Sequence, residues 1–128
     1  MSLKVITGTI WEDGGATLLA RIIGWDGNNL TQASLTSIAY SITNMNSNAQ
    51  VVAPTALAVA TVIYDTLQTT AIWTEDTTGF NFKHHIASTV FADGFSKYAI
   101  EYIFDPAAAG ESNFVVQAIL TTKALYSQ

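Results

Sequence analysis

The chain has no cysteine, so it can form no disulfide framework, offers no thiolate nucleophile and cannot build a Cys-based zinc site. That absence leaves the compartment open, because it suits reducing and oxidising surroundings alike. Charge is the second shortage. Only 12% of the 128 residues are charged, against about 25% in an average soluble domain, while the hydrophobic share of 49% is ordinary. Basic residues are fewest: Lys4, Arg21, Lys83, Lys97 and Lys123 lie scattered along a chain of net charge −5. Neutralising a phosphate backbone needs clustered Lys and Arg, so nucleic acid is not an expected partner. No stretch approaches the ~20 apolar residues of a membrane span, and no membrane partner is expected either. The N-terminal "MSLKVITGTIW" lacks the apolar run of a signal peptide and alternates like a strand. Synthesis and assembly in a cytoplasm are therefore expected.

Thr, Ser, Asn and Gln fill the polar positions that charge leaves vacant. Neutral hydroxyls and amides cost less to desolvate than ions, so such a surface is easily buried against another protein. Thr also suits exposed strand faces for reasons of its own. The length fits one domain with a single continuous core.

Turn signals punctuate the chain: "EDGG" at 12–15, "WDGNN" at 25–29, "NMNSN" at 44–48, "EDTTG" at 75–79, "ADG" at 92–94 and "DPAAAG" at 105–110. The runs between them are rich in Val, Ile, Thr, Tyr and Phe. They predict strands over Lys4–Trp11, Thr17–Gly24, Thr36–Thr43, Leu57–Asp65, Phe80–Ile86, Lys97–Phe104 and Asn113–Lys123. About seven strands at this spacing suggest an all-β sandwich or barrel. The sharpest alternation is "KYAIEYIFD", which sends Tyr98, Ile100, Tyr102 and Phe104 inward and Ala99, Glu101, Ile103 and Asp105 outward. "TSIAYSIT" likewise points Ile38, Tyr40 and Ile42 inward. The Ala-rich "APTALAVATV" at 53–62 could be helical, but Val59, Thr61, Val62 and Ile63 favour a strand. No phosphate loop and no useful internal repeat is present.

Candidate chemistry is sparse. The only two histidines, His84 and His85, are adjacent in "NFKHHI". Neighbours on a strand face opposite sides of the sheet, so the pair cannot converge on one metal, and a zinc site needs three or four ligands. Phe80, Phe82 and His84 are expected on one face, making His84 a histidine at the edge of the core. Asn81, Lys83 and His85 are expected on the other, at the surface. Glu12–Asp13 and Glu75–Asp76 sit in predicted turns, where nothing in the spacing demands an acid–base pair. Ser88, His85 and Asp93 make a triad only on paper. Trp25 and Trp73 lie beside turns and could stack on a sugar, although burial in the core is favoured for them. No catalytic residue, metal or cofactor is expected.

Two stretches, "ARIIGWDGNNLTQASLTSIAYSI" (20–42) and "DTTGFNFKHHI" with "DGFSKYAIEYIFDPAAAGESNFVVQAIL" (76–120), follow strand–turn rhythms. In these the chain resembles the small immunoglobulin-like β-sandwich proteins encoded among the structural genes of tailed bacteriophages. Tyr98, two residues before Ile100, is similar to the tyrosine corner of such folds. The resemblance implies an immunoglobulin-like antiparallel sandwich spanning 1–128 and a non-enzymatic role in the virion. Capsid decoration or cement is the favoured role, with the major capsid protein as partner and homo-oligomers possible. A tail, neck or baseplate component is the second choice. A carbohydrate- or protein-binding module is the alternative outside viruses.

An interface can be placed from the alternation. The last two strands should pair, which would line up Glu101 and Ile103 with Val115, Gln117 and Ile119 on the outward face. Ile103, Val115, Gln117 and Ile119 are accordingly the expected protein-contact residues, since contiguous exposed apolar area marks interaction sites. The competing register makes Val116 and Leu120 the outward pair, or has the "AILTTKAL" end covered by its own chain.

Overall fold

A computed structural model describes residues 4–11 (by their backbone), 14–24, 26–70, 73, 77–108 and 110–123. Eight strands follow one another: β1 Lys4–Trp11, β2 Ala16–Ala20, β3 Leu35–Asn44, β4 Ala49–Leu57, β5 Ile63–Gln68, β6 Phe80–Ile86, β7 Lys97–Pro106 and β8 Phe114–Lys123. They form a five-stranded sheet ordered β1-β8-β7-β3-β4 and a three-stranded sheet ordered β2-β6-β5. Strands β8, β7, β3 and β4 take the places of G, F, C and C′ of an immunoglobulin fold, and β2, β6 and β5 those of B, E and D. All neighbours are antiparallel except β1, which runs parallel to β8 along its otherwise open edge. The chain is an all-β, immunoglobulin-like sandwich.

The register follows the hydrophobic pattern. Tyr98, Ile100, Tyr102 and Phe104 of β7 and Val116, Ala118 and Leu120 of β8 are buried, facing Leu18, Ala20, Phe82 and Ile86 of the second sheet. Phe82 sits between Tyr102 and Phe104, with ring centroids 5.0 and 5.9 Å away in edge-to-face contact. Val116 and Leu120 are therefore inward, which excludes the competing register. The expected tyrosine corner is present: the Tyr98 hydroxyl accepts the Asp93 N–H at 3.1 Å, tying the loop before β7 to the strand.

Two boundaries differ from expectation. The predicted strand Leu57–Asp65 is three elements, the end of β4, a single helical turn Val59–Val62 and the start of β5. Strand β4 is anticipated only from Ala53 onward, and its start at 49–52 has no counterpart in the sequence pattern. It is an edge strand exposed along most of its length, so neither face imposes an alternation. Strand β2 is also shorter than Thr17–Gly24: beyond Ala20 the chain leaves the sheet, and only an isolated bridge joins Ile23 to Asn29.

The ends of the sandwich are set by β3 and β7. Leu35 pairs with Pro106 at what we term the upper end, and Asn44 with Tyr98 at the lower end. The loop 21–34 and the β7–β8 connection belong to the upper end. The β3–β4 turn and the loop before β7 belong to the lower.

Candidate interaction face

The outward side of the five-stranded sheet can be read off its register. Ile103 pairs with Val115, Glu101 with Gln117, Ala99 with Ile119 and Lys97 with Thr121. On the other flank of β7, Ala39 lies beside Ile103, Ser41 beside Glu101 and Thr43 beside Ala99. Beyond them, β4 adds Ala56 next to Ala39 and Gln50 next to Thr43. All four expected contact residues thus share one face. Ile103 is 41% exposed, and Val115, Gln117 and Ile119 are half-buried because β8 is flanked on both sides by β7 and β1. Among the described residues of this face, charge is confined to Glu101 in the middle and to the strand ends, with Asp105 above and Lys97 and Lys123 below. Aliphatic groups, hydroxyls and the amides of Gln117 and Gln50 make up the rest, and these cost less to desolvate than ions.

The histidines diverge as the pleat requires. His84 is buried among aromatic rings, with Nδ1 2.7 Å from the Tyr102 hydroxyl and the Tyr40 ring 4.7 Å away, edge-on. Burial first, and then the neighbouring His85, lowers the pKa of His84 below its ordinary value. Burial, reinforced by Tyr40, raises that of the Tyr102 phenol. A neutral imidazole and a neutral phenol sharing one hydrogen bond make a core contact with no proton to give up near neutrality. His85 is exposed, and its Nδ1 lies 2.8 Å from Thr17 Oγ1. Among the described residues no three His, Asp or Glu side chains come close enough to hold a metal. Ser88 caps no hydrogen bond to His85, and Asp93 is engaged elsewhere, its Oδ2 accepting from Asn44 Nδ2 at 3.2 Å. The Glu12–Asp13 and Glu75–Asp76 pairs and Trp25 lie outside the described residues. Trp73 is half-buried, its ring 5.5 Å from that of Phe80.

One expected surface residue is misplaced by the pattern. Asn81 is expected on the solvent side of β6 with Lys83 and His85, yet it is only 1% exposed. The chain leaving β2 folds over this position. Asn81 Oδ1 accepts the Ile22 N–H at 2.8 Å, while Nδ2 donates to the Ile22 and Leu30 carbonyls at 3.0 and 2.9 Å. The side chain thus supplies the pairing that a sheet neighbour would otherwise give to backbone stranded outside the ladder. No local signal distinguishes such an Asn from an exposed one.

Phe95 is the other residue that sequence reasoning missed. It stands in the left-handed region, with φ 56°, and is 79% exposed at the lower end. Met45, 44% exposed, shares that end. Neither a protein-family model nor a curated protein matches the chain.

Proposed function

We propose that the protein is a non-enzymatic structural component of a tailed-bacteriophage virion, assembled in the host cytoplasm and added to the capsid as a decoration or cement protein. The observation that carries the reading is the outward face of β3, β7 and β8. It is wide, carries charge among its described residues at Glu101 and at the strand ends, and is studded with Ile103, Val115 and Ile119 around Gln117. Burying its neutral groups costs little in desolvation and gains apolar contact at about 25 cal/mol per Å². The immunoglobulin-like fold is consistent with this role, although fold by itself does not assign function. A surface addition needs one compact domain with one adhesive side, and the rest of its surface can face solvent. The major capsid protein is the partner this role calls for. A tail, neck or baseplate component would use the same face against a different partner.

Co-expression with the major capsid protein encoded by the same genome tests the reading. The chain should co-sediment with assembled shells and not with unassembled subunits. Co-sedimentation with tail or baseplate complexes instead would favour the second role. Specific retention on a glycan array, with binding to neither particle, would replace both with a carbohydrate-binding module.

A further inference from the structure

Glu101 stands alone at the centre of the outward face. Its side chain is exposed, with Gln117 of β8 on one side and Ser41 of β3 on the other. Along β7 it lies between Ala99 and Ile103, and the diagonal positions on β8 are Val115 and Ile119. None of these neighbours is charged. Among the described residues of the face the nearest cation is Lys97, four residues back along β7 and about 13 Å away at the rise of a strand. Asp105 lies as far in the other direction. The Glu101 carboxylate has no ion-pair or hydrogen-bond partner among the described residues.

That position makes the carboxylate decisive for any contact. A surface that covers Ile103 on one side of it and Ile119 on the other covers Glu101 as well. Hydroxyls and amides lose little on leaving water, whereas an ion taken out of water without a counter-charge loses far more. The flanking groups point the same way. Gln117 and Ser41 each offer an acceptor oxygen beside the carboxylate, which makes a row of three acceptors across β8, β7 and β3. Such a row suits a group that donates several hydrogen bonds and carries positive charge.

Given the outward face as the contact surface, a reading on which this step rests, we infer that the partner presents a basic side chain to Glu101 at the centre of an otherwise neutral, aliphatic-rich surface. Arg fits best, because its guanidinium holds five donors in one plane. The aliphatic residues supply the contact, and Glu101 selects which surface is accepted. An apolar or acidic patch of the same shape is rejected, because it would leave the carboxylate buried and unpaired.

Shells and tails purified from the phage whose genome encodes the chain are the probes. Wild type, Glu101→Gln and Glu101→Lys are titrated against each, and dissociation is followed after dilution. Both variants should melt close to the wild type, since the carboxylate has no partner within the molecule. Glu101→Gln should bind shells at least about tenfold more weakly, chiefly by dissociating faster, because it leaves the partner's cation buried against an amide. Glu101→Lys should show no measurable binding. Tighter binding by Glu101→Gln would mean that the partner has no cation to offer. Unchanged binding would mean that the carboxylate stays in water outside the contact. Either result overturns the inference and leaves the capsid role standing. The same order of affinities on tails in place of shells would uphold the inference and overturn the capsid assignment. A wild type that binds neither particle would overturn both.

Discussion

Strand β7 presents two surfaces cut from the same ten residues. Its even-numbered positions, Tyr98 to Phe104, are no more than 1% exposed and carry rings and one Ile; its odd-numbered positions carry Ala99, Glu101 and the 41% exposed Ile103. The first set holds the sandwich together, and the second is available to something else. The two surfaces differ in polarity as well as in size: the inward row has no charged side chain, while Lys97, Glu101 and Asp105 put charge on the outward one. Among those charges the outward face still carries Ile103, Val115 and Ile119, more aliphatic side chain than solvent alone requires, and that is why the outer face, not a cleft, is the candidate site.

The largest expected effect comes from a residue that breaks the simple division into inward and outward rows. Asn81 lies on the side of β6 away from the main core, yet it pairs three buried backbone groups. Each group left unpaired costs about 1–3 kcal/mol, against a total stability of about 5–15. Asn81→Leu should therefore leave the domain largely unfolded by circular dichroism at room temperature. Full retention of the melting temperature would mean that the 22–30 loop is dispensable.

Next in size is the contrast within β7 itself. Tyr102→Ala removes a buried ring packed on Phe82 and His84 and should cost about 3–5 kcal/mol in urea denaturation. Glu101→Ala, one residue away, should stay within about 0.5 kcal/mol. Equal small effects would place the wrong face inside.

A third test sharpens the inner side by pH. The folded pKa of His84 lies below the 6.5 of an unfolded imidazole. Between those two values the unfolded chain binds a proton that the native state refuses. The contribution of His84 to stability is thus fully present above the unfolded pKa and is lost as pH falls toward the folded one. Melting temperature should decline as buffers are taken below about pH 6.5, and His84→Gln should flatten that part of the profile. An unchanged profile in the variant would assign the acid sensitivity to carboxylates.

The smallest effect concerns the corner. Tyr98→Phe removes only the hydroxyl that takes the Asp93 N–H and should cost about 1 kcal/mol. The Phe91 ring, 5.1 Å away, keeps its edge-to-face partner. A loss as large as that of Tyr102→Ala would make the corner, and not the aromatic row, the principal support.

What could be read in advance follows from where side chains must face. Phe80–Ile86 and the rows of β7 and β8 were legible because one side of each meets the core and the other does not, so a period of two is written into the residues. The start of β4, "AQVV" at 49–52, was not legible, because an edge strand exposed along most of its length has no face that imposes an alternation. Asn81 escaped because its burial depends on a loop from 59 residues earlier in the chain. Phe95 escaped because a φ of 56° at a phenylalanine is imposed by Thr122 and Tyr98 and contradicts local preference. The four residues of the outer face were placed together by alternation alone.

The central claim is that this outer face binds a partner while contributing little to the fold. Ile103→Lys together with Ile119→Lys tests it most directly, read by thermal unfolding and by co-sedimentation with capsid shells. Each change removes roughly 1.5–3 kcal/mol of apolar burial from a contact. The account predicts a folded protein that melts close to the wild type and no longer sediments with shells. An unfolded double variant would assign Ile103 and Ile119 to the core, and a folded one that still binds shells normally would move the contact surface off this face.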